Sequence, residues 1–68
     1  MSDLARLRRE AGRTQVQVAV EAGVSPPTVR AYERAGAAGV PDERLRQRVE
    51  RVFDELRLEV AQRRRRAA

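Results

Sequence analysis

The chain contains no cysteine, no histidine, no tryptophan and no lysine, and each gap excludes something. Without thiols there are no disulfides, and without thiols or imidazoles there is no zinc finger and no Cys–His or Ser–His nucleophile pair. One Phe and one Tyr leave a core that must be thin and aliphatic, drawn from Leu, Val and Ala. No apolar run approaches the ~20 residues of a membrane span, and the N-terminus lacks the apolar stretch of a signal peptide. No glycine-rich phosphate loop is present, and the carboxylates are scattered among arginines in the manner of surface ion pairs. The expectation is a soluble, cytoplasmic, non-enzymatic chain with no metal, cofactor, membrane or small-molecule ligand. Sixty-eight residues make one small domain with a marginal core, and leave no room for a ligand-sensing or cleavable domain beside it.

What is present is charge of one sign. Fifteen basic residues against ten acidic give +5, with a sequence pI near 11.4. That lies in the range of nucleic-acid binders. All fifteen are Arg, while Lys, Ile and Asn are absent. Those three share codons rich in A and T, so the bias reads as the mark of a GC-rich genome rather than selection for guanidinium chemistry.

Along the chain, Ser2 or Asp3 caps a first helix over about 3–11, with Leu4, Leu7 and Ala11 on one face. Gly12 ends it. Thr14 caps a second helix, and Gln17 completes a Thr-x-x-Gln capping box. Val18, Ala19 and Ala22 face inward before Gly23 stops the helix in a left-handed conformation. Val24 is the buried residue of a tight turn, and Ser25 caps a third helix that opens on Pro26 and Pro27. Val29 and Tyr32 point at the core. Ala35 to Val40 reads as a small-residue loop ended by Pro41. From Asp42, apolar residues recur at helical spacing through Leu45, Val49, Val52, Phe53, Leu56 and Val60. Nothing between 42 and 63 breaks a helix, so one long helix and two shorter ones both remain open. The whole is all-α: a single domain over 1–62 with a helix-turn-helix at 14–35, then a basic tail over 63–68. Two short helices joined by a tight turn, the second capped and basic, are how a recognition helix is offered to the major groove of DNA.

The residues Leu7-Arg8, Gly12, Thr14-Gln15, Val18-Ala19, Gly23-Val24-Ser25, Thr28-Val29, Tyr32-Glu33 and Pro41 resemble, in order and spacing, the lambda-repressor/Cro-like helix-turn-helix family (XRE family). The match covers about residues 4–56. The resemblance implies a compact four- or five-helix bundle that binds double-stranded DNA, usually as a homodimer on a two-fold operator. It also implies roles. Gln15 resembles the Gln that holds a phosphate and braces the recognition helix. Ser25, Pro26, Pro27, Thr28 and Ala31 take positions that face bases or adjoining phosphates, and Arg8 with Glu33 matches a structural ion pair. Pro26 and Pro27 depart from the family's usual Gln, Arg or Ser, removing bidentate readout, though prolines and Thr28 still offer surface to thymine methyls. Arg13 replaces a commonly apolar residue and places a charge near the expected phosphates. Ala35 takes the place of a frequent Gly, with Gly36 shifted by one. The run from Gly23 to Gly36 also resembles the MerR and excisionase helix-turn-helix, in which the positions of Arg30 and Tyr32 contact the DNA backbone. No strand-like alternation for a wing follows it here.

Several residues carry two readings each. Arg30 and Arg34, one turn apart, either reach phosphates and guanine edges or are solvated and paired with an acid. Gln17 is explained by its capping box and is also a candidate phosphate contact. Arg63 to Arg66 either add non-specific phosphate affinity or form a solvated tail. Leu45, Val49, Val52 and Leu56 follow a four-three-four spacing that serves a core helix or a short coiled coil. Leu58 and Val60 lie off or beyond it, and are the candidate dimer or partner contacts. A helix running to Arg63 would overhang a small bundle and call for a second copy. The expected function is a sequence-specific transcriptional regulator, a small Cro-like repressor of phage, plasmid or bacterial origin. The alternatives are an excisionase- or MerR-like architectural factor, and a protein-interaction module built on the C-terminal helix.

Overall fold

The computed structural model describes residues 2–67; Met1 and Ala68 lie outside the described residues. Helix α1 spans Asp3–Glu10, α2 Gln15–Ala22, α3 Pro26–Ala35 and α4 Glu43–Ala67, with a 3₁₀ turn at Gly36–Gly39 between α3 and α4. No strand occurs among the described residues. The bundle is all-α, with α4 long and unbroken.

Local chemistry accounts for the boundaries. Ser2 Oγ accepts the Ala5 N–H at 3.1 Å and starts α1. At α2, Thr14 Oγ1 accepts from the Gln17 N–H and Gln17 Oε1 accepts from the Thr14 N–H, a closed capping box. Gly23 ends α2 at φ +70°, a left-handed conformation that costs glycine little. The segment expected as a loop, Ala35 to Val40, instead winds into a 3₁₀ turn against α3. Gly39 permits this close approach, since a Cβ there would strike the Ala31 carbonyl.

The core lies where α4 crosses the other three helices. Phe53, Leu56, Val18, Val29 and Val49 are its largest fully buried side chains. The rings of Tyr32 and Phe53 meet with centroids 5.3 Å apart, a tilted pairing. Val24 is half-buried at the turn rather than fully enclosed. At 1.5 Å per residue, the 25 residues of α4 reach about 37 Å, nearly the 39 Å length of the whole molecule. The end of α4 is not an unpartnered overhang, because α1 lies along it. Val60 is only 6% exposed, packed near Leu4 and Leu7 of α1. It therefore belongs to the chain's own core, which corrects its assignment to a dimer contact. Leu58, 63% exposed, points to the opposite side. Residues 63–67 also continue the helix rather than forming a separate tail. Arg63 Nη1 donates to the Glu10 carbonyl and Arg64 Nη2 to the Glu10 carboxylate, fastening that end to α1.

Candidate nucleic-acid interface

Helix α3 presents two unlike sides around its outward line. Val29, Tyr32 and Glu33 are buried. Pro27, Ala31 and Arg34, at i, i+4 and i+7, run along the side away from that core. Arg30 flanks this line on the side of α1 and α2. There an open groove of about 360 Å³ brings Gln15, Arg30 and Arg34 together with Arg9 and Ser2. Thr28 flanks the line on the other side, next to the chain leading into α4.

Buried electrostatics holds α3 at this angle. Arg8 of α1 donates from Nε and Nη2 to the two carboxylate oxygens of Glu33, and both side chains are almost fully buried. Gln15 Nε2 donates to Glu33 Oε1 at 3.0 Å, and Arg8 Nη1 to the Arg13 carbonyl at 3.0 Å. One carboxylate thus ties together α1, the start of α2 and α3. Gln15 is spent bracing α3 through this network. Gln17 is exposed, with its side-chain oxygen committed to the capping box.

Arg13 has a different partner from the one its position suggests. Its Nη1 and Nη2 donate to the two oxygens of Glu59 at 3.0 Å each, and its Nε reaches Glu21 at 3.3 Å. These hydrogen bonds raise the Arg13 pKa and hold the Glu59 carboxyl below its usual range. Arg13 is thereby tied to α2 and α4. Glu59 is shared with Arg63, so the α1–α2 connection, α2 and α4 meet in one charged cluster.

Arg30 and Arg34 are exposed and make no ion pair among the described residues. The start of α3 is unusual. Ser25 occupies the cap position, yet its hydroxyl makes no capping bond to the backbone. Pro26 and Pro27 have no N–H to offer it, and the Thr28 N–H already donates to the Ser25 carbonyl at 3.0 Å. The Ser25 hydroxyl turns instead to the Thr28 hydroxyl, 3.0 Å away.

A further basic strip went unread in the sequence. Arg44, Arg48 and Arg51, with Gln47, line an open surface on α4 of about 380 Å³. None of the three has a carboxylate partner among the described residues, and Arg48 Nη1 leans on the Gly23 carbonyl of the helix-turn-helix corner at 3.4 Å. Their i, i+4, i+7 spacing is the signal that would have found them.

Compared with known families, residues 4–59 match the model described as Helix-turn-helix. No curated protein and no solved structure matches the chain.

Proposed function

The chain belongs to the lambda-repressor/Cro-like helix-turn-helix family, a family of DNA-binding regulators, and from that premise we propose that it is a small Cro-like repressor acting as a homodimer on a two-fold operator. Each copy lays one α3 in the major groove, with the two half-sites about one helical turn apart. Arg30 and Arg34 fix the register on phosphates, while Pro27, Thr28 and Ala31 face bases. Arg44, Arg48 and Arg51 add phosphate contacts beside the helix-turn-helix corner. Leu58, exposed on the outer side of α4, is the residue we assign to contact between copies. Such a protein works in the cytoplasm, on the nucleoid, as an occupancy switch.

The observation that carries this reading is the distribution of unpaired charge. Carboxylates neutralise Arg8, Arg13, Arg46, Arg57, Arg63 and Arg64 on α1, the first connection and α4. The outward side of α3 keeps Arg30 and Arg34, and the strip of α4 beside the helix-turn-helix corner keeps Arg44, Arg48 and Arg51, without an ion pair among the described residues. A cationic helix face with no internal partner is suited to phosphate.

The test is selection of bound sequences from a random duplex library at about 0.15 M salt, the physiological ionic strength. An enriched inverted repeat supports the dimeric repressor. A single or directly repeated motif replaces it with an architectural, excisionase-like role. No enrichment, with binding that collapses as salt rises, reduces the positive charge to general affinity and overturns the reading.

A further inference from the structure

The leading end of α3 has lost the donors with which recognition helices hold acceptors. A helix N-terminus ordinarily exposes free backbone N–H groups and is a ready anion site. Here Pro26 and Pro27 contribute none, and the Thr28 and Val29 N–H groups both donate to the Ser25 carbonyl, at 3.0 and 3.4 Å. The hydroxyls of Ser25 and Thr28 bond to each other, so the pair keeps one O–H hydrogen for any outside acceptor. What remains at this end is hydrocarbon: the ring of Pro27, the methyl of Thr28 and the methyl of Ala31.

Those groups form one wall of a shallow notch of about 270 Å³, with Val40, Pro41 and Leu45 opposite. The notch exists because Gly39 lets the 3₁₀ turn close against α3 at Ala31. Asp42 stands at its rim, its Oδ1 accepting the Leu45 N–H at the start of α4. That carboxylate opposes a phosphate or any other anion entering the notch.

The chemistry selects among base edges. In the major groove guanine presents two acceptors, N7 and O6, adenine the acceptor N7 beside the N6 amino donor, and cytosine the N4 amino donor; none of these edges carries an apolar group, and pressing any of them against hydrocarbon is costly. Thymine alone presents a methyl group, on C5, beside the acceptor O4. One hydroxyl hydrogen at Ser25–Thr28 with a hydrocarbon notch next to it matches one acceptor with a methyl next to it.

We propose that the α3 start is a thymine-methyl reader: Pro27, Thr28 and Ala31, with the Val40–Pro41 wall, take up the C5 methyl of one thymine in each half-site. This rests on the DNA-binding reading above and specifies what that site recognises. The basic flank at Arg30 sets position, and the proline end sets identity.

The experiment uses the duplex enriched in the library selection and the full chain. Each thymine is replaced singly by deoxyuridine, which deletes the methyl and leaves the pairing unchanged, and Kd is measured by fluorescence anisotropy. Burial of one methyl predicts a loss of about fourfold at one thymine per half-site, and little change elsewhere. Pro27→Ala should bring the thymine-to-uracil ratio at that position towards one, with the melting temperature used to show that the variant is folded. Uniform indifference to deoxyuridine, in a duplex that is still selected and bound, overturns the methyl reader and leaves the DNA-binding reading standing. Failure to enrich any duplex overturns both.

Discussion

Glu33→Ala is expected to cost most of the stability that a chain of this size has. The Arg8 and Glu33 side chains are only 9% and 6% exposed. Glu33 accepts from Arg8 Nε and Nη2 and from Gln15 Nε2, so its removal strands a guanidinium and an amide in a nearly dry site. Cutting one partner from a buried pair costs about 3–5 kcal/mol, because the remaining charge loses its compensation. A domain of 68 residues has roughly 3–10 kcal/mol in all, at 0.05–0.15 per residue. The variant should therefore unfold at very low urea or populate the unfolded state without denaturant. Replacing both charges by apolar side chains, Arg8→Met with Glu33→Leu, removes the stranded guanidinium and leaves only the Gln15 amide without its acceptor. That double variant should be more stable than Glu33→Ala, since buried pairs exchanged for hydrocarbon are often neutral. Urea unfolding followed by far-ultraviolet circular dichroism gives each free energy, and Arg8→Met with Glu33→Leu as single variants complete the cycle. A cost below about 1 kcal/mol for Glu33→Ala, the range of exposed pairs, would refute the claim that this site is desolvated.

Gly39→Ala should destabilise by about 1–3 kcal/mol, since the new methyl meets α3 backbone that cannot yield; an unchanged melting temperature would show that the 3₁₀ turn moves freely. Val60→Asp should prevent folding by burying an unpaired carboxylate, whereas Leu58→Asp should leave stability within about 0.5 kcal/mol. If Leu58 joins two copies, sedimentation should also move towards monomer in the second variant only. Arg30→Ala should weaken binding about equally across sequences and lower the salt slope by about 1, without altering the melting temperature, and an unchanged salt slope would contradict its positioning role. Glu59 has a folded pKa depressed by Arg13, so its contribution is present above the ordinary carboxylate range and lost as pH falls through the depressed value. Thermal melts across pH should show Glu59→Gln less stable than the parent at neutral pH and converging with it in acid; a gap that widens in acid would refute the sign.

Much of this fold is written in local pattern. The capping box at Thr14 and Gln17, the stop at Gly23 and the inward set Val18, Ala19, Ala22, Val29 and Tyr32 follow from neighbours within four residues. Val60 was also legible, since it stands four residues beyond Leu56 on the same stripe. It reads as surface only if the bundle is assumed to stop short, and the reach of α1 along α4 is a long-range fact. The same applies to Arg13, whose partner Glu59 lies 46 positions away. At Ala35 to Val40 the residues are too small to code either a loop or a turn. Packing against Ala31 decides the matter, and only glycine at 39 allows it. At Ser25 the usual cap rule fails for a reason only half in view: Pro27 removes the donor at the second helical position, while the Thr28 N–H at the third is taken by the Ser25 carbonyl.

The division among the arginines also makes salt a clean probe of binding. Arg57–Asp54, Arg63–Glu59 and Arg64–Glu10 are exposed pairs, worth about 0–1 kcal/mol each and screened by salt. Their loss weakens the attachment of the α4 end, but the core around Phe53 and the buried Arg8–Glu33 pair are little affected. Phosphate contacts behave otherwise, because each one released shifts log K with log salt by a slope of about −0.9. Several exposed arginines acting together therefore lose orders of magnitude in affinity over a salt range in which the fold barely changes. Methyl contacts at Pro27 and Thr28 release no counterion. The thymine-to-uracil ratio should consequently stay constant with salt while both affinities fall in parallel, which separates what positions the helix from what identifies the base.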